Sequence, residues 1–305
     1  MSFEEYNNAR GRAPHKAAAA VEAPATKRRE LIDITEKKRK YGDRPLIILT
    51  SSFLQAKDNI GKFDDYALIL RRCVDHEDKE LDTTLEVQSP IIQTALKVAL
   101  VDYGYLNLEA RPIKIKKPYD ALFHYRHEIR AYASDESRTE EEKLDLEVLI
   151  EFMRTNLAAT ERDYDQLAPN GMITFPLLWA LFRAEDIIIE QTDLYQQAYR
   201  VISCESKTIN DHTFFEINHW SWAYNGNKFG PTLDVFTIDE FAGARSITEL
   251  EVYPLRMVSK EHQDRLRLQF VERGNQWRSL VDINNREYDG KYDNPSIQVI
   301  QRVFY

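Results

Sequence analysis

From Thr213 to Tyr224 the chain reads Thr-Phe-Phe-Glu-Ile-Asn-His-Trp-Ser-Trp-Ala-Tyr, and its large side chains recur at every second position. That period belongs to a strand. It places Trp220, Trp222 and Tyr224 on one face and Phe215, Ile217, His219 and Ala223 on the other, and both faces are apolar enough to be covered. Asn225-Gly226 follows, then a return strand from Lys228 to Thr237. A two-residue hairpin turn needs positive φ at both positions, which Asn225 tolerates and Gly226 adopts without a Cβ penalty.

The same period extends through this half of the chain. Ile187 to Ile189, Ala198 to Cys204 and Glu249 to Tyr253 read as further strands, and a helix over about 260–272 is expected to stop at Gly274. Ile297 to Tyr305 reads as one more strand.

The first half reads differently. Pro45 to Thr50, Tyr66 to Arg71 and Thr83 to Gln88 are short strands, the last two joined across the charged segment Asp75 to Asp82. Ser89-Pro90 then supplies an N-cap and a proline at the first helical position, so a helix is expected over about 90–102. A second helix is expected over about 120–133, with Leu122, Tyr125, Ile129 and Tyr132 on one face. A third opens with the capping box Ser137-x-x-Glu140 and buries Leu144, Val148, Leu149, Phe152 and Met153. Thr174 is placed to cap a short helix around Leu177 to Phe182. The expectation is an α+β protein: a helix-rich half with a small sheet over 44–168, packed against an antiparallel β-rich half with a C-terminal helix over 169–305.

Residues 1–43 hold ten Lys or Arg against seven Asp or Glu, which leaves 31 against 43 in the rest of a chain whose totals are 41 and 50. Few large apolar side chains occur there, so a flexible tail is expected. Lys27-Arg28-Arg29 and Lys37-Lys38-Arg39-Lys40 resemble an import signal or a nucleic-acid-binding arm, with a solvated charge run as the plainer reading. The acidic body is a poor general phosphate binder. Cys73 and Cys204 lie far apart and fit a reducing compartment as small buried hydrophobes. No run of about eighteen apolar residues is present, and the N-terminal residues lack a signal-peptide core, so an intracellular protein, cytoplasmic or nuclear, is expected.

No residue set carries recognisable catalytic chemistry. Val235-Phe-Thr-Ile-Asp239-Glu240 imitates the strand with which P-loop ATPases hold magnesium, but the chain contains no Gly-x-x-x-x-Gly-Lys-Ser/Thr loop. His124 and His127, three apart on an expected helix, suit one metal only with carboxylates from elsewhere, such as Glu128 or Asp120. Trp220, Trp222, Tyr224 and Phe229 either pack a core or stack bases or a peptide proline, and the area each ring buries favours the core. Arg245, Arg256 and Arg273, beside Gly243, Pro254 and Gly274, either fix loops or contact an anion.

The succession Leu85-Glu-Val-Gln-Ser-Pro90, Pro118-Tyr-x-x-Leu-Phe-His-Tyr125, Ile173-Thr-Phe-x-Leu-Leu-Trp-x-Leu-Phe182, Trp222-x-Tyr-Asn-Gly-x-x-Phe-Gly230, Ile238-x-x-Phe-x-Gly-x-Arg-x-Ile-x-x-Leu-x-Val-Tyr-Pro-Leu255, Arg273-Gly274 and Tyr288-x-Gly290 resembles the domain of unknown function that precedes the ATPase core in fungal AAA-type ATPases. The resemblance covers about 44–305. One departure is Arg183-Ala-Glu-Asp186, which stands where members usually have a Pro-Gly turn. The resemblance implies a non-catalytic accessory region that recruits protein partners or regulates an ATPase core. It transfers no catalytic residue and no cofactor, ATP and magnesium belonging to a core expected after Tyr305. Nucleic-acid binding through the basic tail and the aromatic face is the alternative.

Overall fold

A computed structural model of the chain describes residues 28–38, 45–49, 63, 65–101, 103–192, 195–224 and 228–279. Its first sheet contains β1 (Arg28–Lys37), β2 (Leu46–Leu49), β3 (Tyr66–Val74), β4 (Glu80–Val87) and β5 (Ile113–Lys116), in the order β2-β1-β3-β4-β5. β1 runs parallel to β3, and the other pairs are antiparallel. One face, made by Leu68, Leu70, Leu85, Val87, Ile113 and Ile115, packs in a single core with side chains of α1 (Pro90–Ala99), α2 (Asp120–His124), α3 (Arg126–Ala133) and α4 (Glu140–Leu167).

β1 corrects the expectation of a flexible tail over Arg28–Lys37; residues 1–27 and 39–43 lie outside the described residues. Ile34 is fully buried and packs with Phe63 and Ile69. Charges that composition counts as solvated are paired across strands: Arg72 with Asp33 at 3.0 Å, Arg71 with Glu36 at 3.1 Å and with Glu86 at 2.9 Å. Burial pushes the Glu86 carboxyl up, yet hydrogen bonds from Arg71 and Lys114 outweigh it and hold the group below its ordinary range. A strand built this way needs few apolar residues, because its neighbours neutralise it.

Local signals position the helices. The Ser89 hydroxyl accepts from Ile92 N, as its place before Pro90 requires. The capping box of α4 is Thr139 with Glu142, not Ser137 with Glu140. Ser137 N instead donates to Asp135 in a preceding turn, at 3.0 Å. α4 buries Leu146, Leu149, Phe152, Met153 and Leu157, while Leu144 faces solvent. The helix expected over 120–133 divides at Tyr125, whose φ of −109° and ψ of 22° separate α2 from α3.

The second half begins with β6 (Met172–Thr174), which pairs with β11 (Ala244–Ser246), so Thr174 lies in a strand and its side chain caps no helix. The one-turn α5 (Leu178–Leu181) follows. A five-stranded antiparallel sheet is then built from β7 (Ile187–Gln191), β8 (Gln196–Ile209), β9 (His212–Tyr224), β10 (Phe229–Asp239) and β12 (Val252–Pro254), in the order β10-β9-β8-β7-β12. Tyr164 and Trp179 pack against the cores of both halves. The last described helix, α6 (Lys260–Arg278), runs through Gly274 instead of ending there. The strand expected over 297–305 lies outside the described residues.

β8 and β9 meet in a two-residue turn. Ile209 is opposite His212, and the residues between them, Asn210 and Asp211, have φ of 51° and 63°. Both are left-handed, the requirement of the favoured hairpin turn. Replacing Asp211 with Gly removes the Cβ penalty of that conformation and is expected to raise stability by about 0.5–1 kcal/mol, seen as a higher urea midpoint at unchanged m-value.

The connection between β9 and β10 is longer than the sequence implied. Tyr224 is opposite Phe229, so four residues, 225–228, separate the last described pair, and a two-residue turn would require Tyr224 opposite Asn227. The conformation of Asn225 and Gly226 lies outside the described residues.

Candidate interaction surface

The two faces of the second sheet have different fates. Phe215, Ile217 and Val201 point into the core that contains Leu181 and Phe182. On the opposite face, cross-strand neighbours align Tyr224 with Phe229, Trp222 with Pro231 and Trp220 with Leu233. Part of this outer face is covered by α6. Its Leu266 and Phe270 join the cluster of Ile189 and Tyr253. Further along, the Arg273 guanidinium donates to the Gln196 carbonyl, and the Trp277 ring lies 4.7 Å from Phe229.

Beyond the reach of α6 the face opens. Trp222 is 47%, Leu233 73% and Val235 45% exposed, and Trp220, Tyr224 and Phe229 are half-buried beside them. The expectation that both faces are covered is therefore corrected: α6 packs on Ile189 and Tyr253 and touches Phe229 through Trp277, while Trp222, Leu233 and Val235 stay exposed. The Arg200 guanidinium stands 5.7 Å from the Trp220 ring and is itself held by Glu185 at 3.0 Å. A contiguous aromatic and aliphatic patch at the open side of a sheet is a feature of interaction surfaces.

A cleft of about 630 Å³ adjoins this face between α6 and the β7–β8 connection. Gln191, Gln196, Gln269 and Gln276 line it together with Phe270 and Arg273. Such amides can donate to and accept from peptide groups.

His219, on the inner face, is 2% exposed, and neither ring nitrogen has a hydrogen-bond partner among the described residues. Its ring lies 4.3 Å from Phe236 and 4.6 Å from Tyr199. Burial lowers its pKa, against the opposing pull of Asp234 and Glu190.

The structure separates the other candidate residues. The Arg256 guanidinium donates to the Asp186 carboxylate at 2.8 Å, to the Tyr164 hydroxyl at 3.4 Å and to the Leu181 carbonyl, so it fixes loops. Arg245 lies over the Phe241 ring at 4.4 Å. Where relatives were expected to have Pro-Gly, Glu185 takes the left-handed position with φ of 70°. Asp239 pairs with His212 at 3.2 Å, and the Glu240 amide donates to Thr213 in an ordinary strand end.

His124 and His127 do not converge. His124 sits at the end of α2 with Nε2 3.1 Å from the Trp179 carbonyl, whereas His127 is exposed on α3. No group of three or more metal-ligating side chains lies together among the described residues. Burial, reinforced by Arg256, Arg183 and Arg126, pushes His124 down to about 3. Above pH 6.5 both folded and unfolded chains carry this imidazole neutral; below it only the unfolded chain takes up the proton, so folding stability falls as pH drops from 6.5 toward 3. The slope approaches about 1.4 kcal/mol per pH unit. His124→Gln retains a donor for Trp179, and its stability should vary by about 2 kcal/mol less than the parent's between pH 6.5 and 5, measured by denaturant titration.

Cys73 and Cys204 are both free thiols whose pKa is raised by burial, which leaves them poor nucleophiles. Among the described residues no helix is long and apolar enough to cross a membrane. The sequence reading missed Leu233, Val235 and Trp277 as members of the surface. Pro231 inside a strand was the available signal, since a residue without an N–H is tolerated at a sheet edge.

Residues 163–259 match the model of a family described as Domain of unknown function (DUF7025). The matched span runs from the end of α4 to the cap of α6 and holds the whole second sheet. No curated protein and no solved structure matches the chain.

Proposed function

We propose that this chain is a non-catalytic interaction module that serves an AAA-type ATPase of the fungal kind its sequence blocks resemble, recruiting a protein partner or regulating the core. The observation that carries this reading is the outer face of the second sheet, where Trp222, Leu233 and Val235 stand exposed inside the matched span. Exposed aromatic and aliphatic side chains on a rigid sheet lose water when a protein partner arrives, which is the principal driving force of association.

Nucleic-acid binding has less support. Arg29 pairs with Asp145 at 3.1 Å and Lys37 with Asp78 at 2.6 Å, so these two cations already neutralise carboxylates within the fold, and Arg28 donates to the Tyr66 hydroxyl at 2.6 Å.

The test uses the purified chain in two assays. It should hydrolyse no ATP in the presence of magnesium, and stoichiometric turnover in a clean preparation would overturn the non-catalytic reading. Selection from a random peptide library should enrich sequences whose binding is lost in Trp222→Ala and Leu233→Asp while the melting temperature stays within about 2 °C of the parent, the shift of a sub-kcal/mol surface change. Enrichment insensitive to both substitutions would overturn this face as the interaction surface.

A further inference from the structure

β10 is the last strand of the second sheet, and among the described residues only β9 pairs with it. Its eleven residues keep an unbroken register from Phe229 to Asp239. Sheet edges are ordinarily blunted by short length, bulges, lysines or prolines. This one is long and unbulged, carries no Lys, and has its only proline, Pro231, near one end. From Thr232 onward every residue has a backbone donor, and that of Val235 donates to Asp234 Oδ1 at 2.8 Å, a bond that an incoming strand and its cation would replace. Leu233 and Val235 present apolar side chains on one face of that edge, continuous with Trp222, and Asp234 points to the other face.

Resting on the interaction-module reading, we infer that β10 receives an extended segment of a partner protein as a sixth strand, and that this segment alternates apolar with basic residues. Backbone pairing supplies the register, as in strand addition generally. Apolar side chains of the incoming strand then cover Leu233 and Val235, and the residue opposite Asp234 is Lys or Arg.

Charge selects this occupant over a second copy of the chain. Two β10 strands meeting antiparallel about their midpoint would set Asp234 opposite its own equivalent, and like charges directly opposite are destabilising. The chain's net charge of −9 adds repulsion. A basic segment meets the opposite field.

The probe is a synthetic nine-residue peptide alternating Val with Lys, compared with a Val–Glu counterpart and with forms N-methylated on alternate backbone amides. The Val–Lys peptide should bind at least ten-fold more tightly than the Val–Glu peptide. One of the two N-methylation patterns should weaken it at least ten-fold while the other is tolerated, because only one edge of an added strand faces β10. Asp234→Lys should reverse the preference between peptides. Equal sensitivity to both methylation patterns, or equal affinity for the two peptides, would overturn the proposal. So would sedimentation of the free chain as a dimer that disappears in Leu233→Asp, or slow amide exchange along the outer edge of β10 in the free chain, since either would mean that the edge is already occupied. Library peptides that bind through Trp222 yet tolerate every backbone methylation would leave the interaction module standing and remove strand addition alone.

Discussion

Deleting residues 1–43 is expected to destroy the first sheet and not to release a trimmed, folded domain. β1 lies between β2 and β3, so its removal takes away the register of both neighbours. It also uncovers Ile69 and strips Arg71 and Arg72 of Glu36 and Asp33. On the opposite side of the strand Arg29 reaches Asp145, which is 1% exposed and also accepts from the Ser89 hydroxyl that caps α1. One truncation therefore removes a strand, takes Asp33 from Arg72 and one of two carboxylates from Arg71, and withdraws the Arg29 guanidinium from a buried carboxylate. Loss of cooperative melting by circular dichroism is the expected readout. The point variant Ile34→Ala should cost about 2–4 kcal/mol, the range for emptying a fully buried aliphatic site. A truncated chain that melts cooperatively at the parent temperature would show that β1 contributes nothing.

This strand also shows where sequence reading stops. Arg28 to Lys37 has Ile32 and Ile34 in alternation, but Arg, Glu, Asp and Lys surround them, and composition alone assigns such a segment to solvent. What orders it is a set of ion pairs with residues more than thirty positions away, which no local pattern encodes. The helices were legible for the opposite reason. Ser89-Pro90 and Thr139-x-x-Glu142 are local chemistry, and a box displaced by two residues still marks the same helix start. The α+β division was legible as well, since the change from a period of about 3.6 to a period of two is written in the apolar side chains themselves.

The surface was half legible. Alternation put Trp220, Trp222 and Tyr224 on one face, and the structure agrees; what it did not give was which face is covered. That depends on α6, which follows β9 by more than thirty residues and reaches back to the sheet at Phe229 of β10 through Trp277. The edge status of β10 depends likewise on strand order. Only Pro231 hinted at it. Asn225-Gly226 correctly marked the β9–β10 hairpin but not its loop length, since Tyr224 is opposite Phe229, and the two-residue turn Asn210-Asp211 lacks the glycine that sequence patterns reward.

Replacing Arg256 with Met is expected to cost about 3 kcal/mol, a loss of roughly 6–12 °C in melting temperature for a protein of this size. Asp186 is 8% exposed, and Arg256 approaches it at 2.8 Å while Arg183 stands off at 3.3 Å. The same guanidinium satisfies the Leu181 carbonyl at the end of α5 and reaches Tyr164 on α4, so one side chain ties the turn before β7 to both halves of the molecule. Met keeps the stem and much of the packing but removes the charge and every donor, leaving a carboxylate out of water with its weaker partner. If that orphaned charge is the main cost, adding Asp186→Leu to Arg256→Met should restore a substantial part of the loss, because a buried pair replaced as a unit is far less damaging than a pair broken. Chemical denaturation of the two single variants and the double variant completes the cycle. A double variant as unstable as the sum of the singles would place the cost in lost packing instead and refute the clamp.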